Sequence, residues 1–413
     1  ERARAIEAKG ADPVAARLLL AADAFVVGGP DAAAPDVIAG YPWFGTWSRD
    51  TMLSYDGLFL TADRADEGRR LLRAYAATLS EGMLANTADT GSVEYNTADA
   101  TLWFVHAIGR HVAVTGDVDL AAQLAPDLQA ILRAHLEGTR YGIRVDPADS
   151  LLVQGADHCA LTWMDARIDG DPVTQRRGKA VEVNALWINA LGTVADLWKA
   201  VGRDATAVRQ RHEAAVTSFR RRFPHPEYGL YDVIDGPAGD DAALRPNQLL
   251  AHSLPYGPLR GQPPAAVVAE QLLTPLGLRT LAPGDPAYRP HHRGTSQQRD
   301  AAYHQGTVWP WLLGAHRDAL AAAGIPVPAE AVFGGLPGHL GEAGLGSVSE
   351  TAEGEPPHAT TGCPFQAWSV AEALRGWTES FRTAPAALVS HTSPAVPTSH
   401  REPPRTTRTG EQG

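Results

Sequence analysis

Cysteine is nearly absent from this 413-residue chain, which has only Cys159 and Cys363. Two thiols exclude a disulfide framework and a cysteine-based zinc site. Long apolar runs are also missing. Nowhere do 18 apolar residues follow one another, so no membrane-spanning helix is expected. Positive charge is in deficit, with 36 Lys and Arg against 47 Asp and Glu and a net charge of −11. An acidic surface repels phosphate backbones, so nucleic acid is not an expected partner. No HExxH pair, metal-type histidine spacing or GxSxG elbow occurs, which leaves metal and serine-nucleophile chemistry without a motif. His158, His291, His292 and His304 read as hydrogen-bonded loop residues, and no metal or cofactor is expected. No Gly-rich phosphate loop follows a strand pattern, and no βαβ rhythm appears, which argues against a doubly wound sheet.

Helices and tryptophan are what the chain does have. Trp occurs 10 times, as often as Tyr and more often than Phe, and flat indole faces suit sugar rings. Apolar periodicity with cap and stop residues predicts helices over 99–115, 126–137, 183–200 and 204–223. It further predicts helices over 69–83, 264–273, 307–323 and 366–377, with weaker signals over 4–25 and 57–60. Asp99 and Asp204 are the expected caps, and Pro126 fits a first helical turn. Strand signals are short, at 37–39 and 92–95. The expected class is therefore all-α, with residues 1–380 as one domain. A Pro/Ser/Thr-rich tail over 381–413 has the composition of disorder.

The residues that carry chemistry lie in the connections. Four segments combine Trp with acids, His or Arg, or place Glu among small polar groups: 41–51 (YPWFGTWSRDT), 161–167 (LTWMDAR), 303–311 (YHQGTVWPW) and 346–353 (GSVSETAE). Carboxylates among tryptophans are the equipment of glycoside hydrolysis, in which one protonated acid and one carboxylate act on a sugar held by aromatic faces. Asp165, beside Trp163 and Met164, is expected to be desolvated and protonated, as a general acid requires. Glu350, among Ser347, Ser349 and Thr351, is expected to be an ionised base. Arg49–Asp50 fits either a loop-bracing ion pair or a pair that holds sugar hydroxyls. Asp169, Asp171, Glu353 and Glu355 read as solvated loop charges.

Six collinear stretches resemble the glucosidase domain of glycogen debranching enzymes in its prokaryotic form. They are 37–52, 95–106, 161–186, 245–248 (RPNQ), 303–311 and 362–372 (GCPFQAWSVAE), and the resemblance runs from about residue 15 to 378. It implies an (α/α)6 toroid and inverting hydrolysis of α-1,6-linked glucose on glycogen or limit dextrin in the cytoplasm. It further implies Asp165 as general acid, Glu350 as general base and Trp47, Arg49 and Asp50 as sugar-holding residues. Trp43, Trp163, His304 and Trp309 are the further pocket residues it implies, and Lys179 and Glu182 match a motif without an assigned role. The β-rich N-terminal domain common in prokaryotic members is not expected here, nor is a 4-α-glucanotransferase domain. Another toroid α-glucosidase, a trehalase and an inactive glycan-binding remnant are the alternatives.

Overall fold

The computed structural model describes residues 12–28, 34–86, 93–325, 328, 332–342 and 344–378. The expected tail over 381–413 lies outside them. Thirteen α-helices are formed by the described residues: α1 (Pro13–Phe25), α2 (Ser48–Leu53), α3 (Ala65–Ala76), α4 (Ala100–Thr115), α5 (Val118–Glu137), α6 (Val181–Ala200), α7 (Thr206–Arg222), α8 (Leu249–Ser253), α9 (Ala266–Leu272), α10 (Ser296–Tyr303), α11 (Leu312–Ala322), α12 (Leu336–His339) and α13 (Ala367–Trp377). A π-helical turn, Asp56–Thr61, follows α2.

Burial sorts them into two layers. In α6 every residue from Val181 to Leu197 is buried, and α13 is buried from Ala367 to Gly376. Such all-round burial is the property of a helix enclosed on every side. In α3, α5 and α7 only a stripe is buried, and the rest meets solvent. The buried segments touch one another in a closed circuit: α2 packs on α4, α4 on α6, α6 on α8, α8 on α11, α11 on α13, and α13 on α2 and the π-turn. The core is thus a ring of helices, with the amphipathic helices packed outside it. No helix among the described residues is long and apolar enough to cross a membrane.

Three expectations need correction. The fold is helix-dominated but not all-α, because the long connections pair into short sheets. Strands 26–27, 36–41, 44–46 and 365–366 form one sheet, and 273–274, 277–279, 308–309, 351–352 and 360–361 form another. Buried connections must satisfy their backbone groups, and these small ladders do so. Pro126 does not open a helix; it lies inside α5, whose start is capped by Asp117 accepting from Leu120 N (2.9 Å). The apolar stripe Leu120, Leu124, Leu128 and Ile131 runs through the proline, so burial outweighs the lost backbone bond. Residues 93–95 form no strand; Glu94 accepts one backbone bond from Asn86 N (2.7 Å).

Candidate active site

The connecting segments converge at the N-terminal ends of the ring helices. Those of α2, α4, α6, α8, α11 and α13 have no side-chain cap, so their positive dipole ends are left for acidic groups nearby. Arg49, in the first turn of α2, is buried at the centre. Its Nε donates to Asp99 Oδ1 (2.9 Å) and Oδ2 (3.0 Å), and its Nη1 to Asp165 Oδ2 (2.8 Å). Burial disfavours the guanidinium charge, but Asp99 and Asp165 outweigh it and raise the Arg49 pKa. Asp99 therefore does not cap α4 with its side chain, as the sequence suggested; it anchors Arg49 instead.

Asp50 sits beside Arg49 without forming an ion pair to it. Gln366 Nε2, at the start of α13, donates to Asp50 Oδ1 (3.2 Å). Burial, together with repulsion from Glu350 and Asp165, pushes the Asp50 carboxyl up to about 8 against the pull of Arg49. Glu350 precedes the strand 351–352. Its Oε1 accepts from the Tyr303 hydroxyl and its Oε2 from Cys363 N (2.9 Å). Burial pushes Glu350 up to about 7, although both hydrogen bonds favour the ionised form. Gly362, at φ +65°, makes the close approach possible: a Cβ there would stand 2.4 Å from Glu350 Oε2.

The environments expected for the two principal acids are exchanged. The Asp165 side chain is 38% exposed and rests on Arg49, so it is not desolvated by its neighbours Trp163 and Met164. Glu350 is 3% exposed and is the desolvated one. The short polar residues around it pack closely rather than admitting water. Glu353, expected in solvent, is also buried, and accepts from His291 Nδ1 (2.5 Å) and Arg293 Nε (2.7 Å).

The aromatic residues divide into rim and wall. Trp43 is exposed on the turn between strands 36–41 and 44–46, and Trp47 is half-buried just before α2. Trp163 is buried, its Nε1 donating to Asn247 Oδ1 (2.8 Å), with edge-to-face contacts to His304, Trp309 and Trp311. His304 and Trp309 stack on each other behind it and have essentially no exposed surface. They back the wall and do not face a ligand, which corrects the pocket role expected of them. Burial and the nearby Arg245 and Arg49 hold His304 neutral.

Sequence reasoning missed Asp99, Tyr303, Cys363 and Gln366 as partners of the acids, although all four lie in the quoted motifs. It also left Lys179 and Glu182 unassigned. Glu182 and Asp232 clamp Arg176 in a buried cluster. Lys179 Nζ donates to Asp146 (2.8 Å), Asp149 (2.7 Å) and Asp235 (2.8 Å). Those three aspartates form the one acidic group among the described residues close enough to hold a metal ion, and the lysine ammonium already sits among them.

This arrangement of acids, one shared arginine and a tryptophan wall meets the requirements of glycoside chemistry. A family model described as amylo-alpha-1,6-glucosidase matches residues 20–375. The chain belongs to this family. The glycogen debranching enzyme of Saccharomyces cerevisiae is 26% identical to it over an alignment that covers 68% of this chain and 25% of that protein. The chain therefore spans about a quarter of that relative. Among solved structures, the GH63 mannosylglycerate hydrolase from Thermus thermophilus, in complex with Tris and D-glycerate, has a TM-score of 0.64 at 14% identity. That match covers 88% of this chain and all of the other. A rhamnosidase from Klebsiella oxytoca with rhamnose bound has a TM-score of 0.51 at 17% identity, covering 88% of this chain and 64% of that one. At these identities the likeness is one of fold, a toroid-like ring of helices shared with other glycosidases. The amylo-alpha-1,6-glucosidase family to which the chain belongs is a glycoside hydrolase family.

Proposed function

We propose that this glycoside hydrolase removes α-1,6-linked glucose from glycogen or limit-dextrin branch points with inversion, on an (α/α)6 barrel in the cytoplasm. The observation that carries the reading is the pairing of two supported acids at one end of the ring. Asp165 rests on Arg49, Glu350 rests on Tyr303 and Cys363 N, and the two acids lie within electrostatic reach of each other. Asp165 first takes up a proton, for which burial holds a store on Asp50 and Glu350 beside it, and then gives it to the bridging oxygen. Glu350, once ionised, takes a proton from the water that attacks the anomeric carbon. Inversion needs room for that water, so the reacting carboxyls belong about 6.5–9.5 Å apart. Protonated Asp50 and Arg49 hold glucose hydroxyls, and Trp43 and Trp47 offer flat faces at the rim.

The test is glucose release from phosphorylase limit dextrin, with maltose, panose and trehalose alongside and the product anomer followed by NMR. β-Glucose from limit dextrin alone is the expected result. Release from maltose or trehalose changes the substrate, α-glucose overturns inversion, and no release from any of them overturns the catalytic reading.

A further inference from the structure

Beneath the catalytic end, inside the helical ring, lies a second cavity. Its volume is about 120 Å³. A buried water needs about 10–15 Å³, so the space takes a cluster of several waters or a small polyol. Its wall is formed by α2, α4, α8, α11 with Trp311 before it, α13, the π-turn and the segment that follows α8. None of the four acids gathered around Arg49 and Glu350 lines it.

Six of the residues that line it are charged. Asp56, Asp318 and Glu372 face Arg110, Arg260 and Arg375, so the fixed charges sum to zero. Arg110 Nε pairs with Asp56 Oδ2 (2.6 Å), and Arg375 pairs with Asp318 and Glu372 (2.5 Å each). Arg260 is held instead by backbone, donating to Ser253 O (3.0 Å) and Leu254 O (3.4 Å). His106, also in the wall, is held neutral by burial.

Two buried atoms in this wall have no partner. Asp56 Oδ1 is an acceptor without a donor, and Trp311 Nε1 is a donor without an acceptor. Both residues are more than nine-tenths buried, and unpaired polar groups at such positions are costly. The π-turn sets Asp56 in place, with Gly57 packed so closely on α13 that a Cβ would stand 2.3 Å from Ala371 O. Irregular turns of this kind recur at functional sites. We propose that this cavity binds a neutral polyol of monosaccharide size, with Asp56 Oδ1 accepting from a hydroxyl, Trp311 Nε1 donating to one, and the Trp103 and Trp311 rings covering its apolar face. Charge neutrality of the wall favours an uncharged ligand over an anion or a cation, and the mixture of one donor, one acceptor and indole surface suits a sugar.

The test is calorimetric titration with D-glucose of protein already saturated with the iminosugar 1-deoxynojirimycin, which occupies a glucosidase pocket. One further glucose per chain is expected. Ala322→Trp, which puts an indole into the cavity, and Trp311→Phe, which removes the orphan donor, should each weaken that event at least tenfold. Thermal melting identifies a variant that fails to fold, and the other variant then decides. Absence of the second event, or equal affinity in both variants, overturns the proposal. So does a glucose-soaked crystal whose cavity holds water alone. Failure of the iminosugar to bind counts against the glucosidase reading only; glucose binding lost in the two variants still supports the cavity.

Discussion

Replacing Asp50 by asparagine removes a carboxyl that the fold keeps protonated, and this should make the protein less sensitive to alkali. In the folded chain the group titrates at about 8, against 3.8 ordinarily, because it is buried next to Glu350 and Asp165. In the unfolded chain it is ionised above about pH 4. Between those values the folded state holds one proton more than the unfolded state. Its contribution to stability is therefore intact below pH 4 and is lost as pH rises toward 8. The slope is about 1.4 kcal/mol per pH unit, or at most about 4 kcal/mol between pH 5 and 8. Relaxation and water entry on ionisation reduce this to roughly 2 kcal/mol.

Asparagine keeps the shape and removes the titration. Urea unfolding of the parent and of Asp50→Asn at half-unit steps from pH 5 to 8.5 measures the difference. Glu350, pushed up to about 7, adds a slope of the same sign to both proteins, and because the two acids repel each other the comparison isolates Asp50 best below pH 7. The expected result is a stability gap that moves in favour of the variant as pH rises. Parallel curves across this range would mean that Asp50 is ionised in the folded protein, and would refute the claim that burial governs it. Activity is a separate readout: the same substitution should raise KM, because it removes an oxygen that holds a glucose hydroxyl.

Three other outcomes are expected. Asp165→Asn and Glu350→Gln should each lower kcat about 10²–10⁴-fold with unchanged melting temperatures, measured as glucose release from limit dextrin; a near-normal rate in either removes that residue from the mechanism. The kcat/KM of the parent should rise with pH through about 7 as Glu350 ionises, and Tyr303→Phe should move that limb upward, because it removes a donor that favours the carboxylate. Lys179→Met should lower unfolding stability by about 1–3 kcal/mol, since it removes the ammonium from Asp146, Asp149 and Asp235 while Arg222 still holds the last two. KM should stay constant in that variant.

Helices were legible where the chain itself carries the signal. The expected 99–115 and 183–200 fall within two residues of α4 and α6, because apolar periodicity and a closing glycine or turn mark their ends. Helix 307–323 began five residues early. Val308 and Trp309 are apolar enough to extend a helical stripe, but they pair with the strands 277–279 and 351–352. Most of the sheets are two or three residues per strand, too short for alternation to show. Some are tight local hairpins, such as 167–168 with 171–172, and others, such as 36–41 with 365–366, join segments far apart in the chain that only tertiary structure brings together.

The acids of the site were legible as residues but not as environments. Asp165 was read as desolvated because Trp163 and Met164 precede it, yet neighbours in sequence do not set burial in a loop. Arg49, 116 residues away, decides what Asp165 touches, and Asp99, 50 residues from Arg49, completes the clamp. Gln366 reaches Asp50 across 316 residues. Tyr303 lay in a quoted motif next to His304, and attention fell on the histidine and on Trp309. The phenol is the residue that meets Glu350, while the other two stand behind Trp163.

Charge counting explains why burial and role are distributed in this way. Four carboxyls, those of Asp50, Asp99, Asp165 and Glu350, meet around one arginine, and three of them are buried. Four ionised acids cannot share one guanidinium at low dielectric, so protons stay in the cluster. Arg49 spends its bonds on Asp99 and Asp165, yet burial still pushes Asp99 up, and it pushes Asp50 and Glu350 up to about 8 and about 7. An inverting glycosidase needs one acid charged and one neutral at neutral pH, and a cluster short of positive charge keeps the required proton close at hand. A second arginine in this space would ionise all four acids and leave no proton to donate. On this reading the scarcity of cationic partners at the end of the ring keeps a proton within reach of the residue that must donate it.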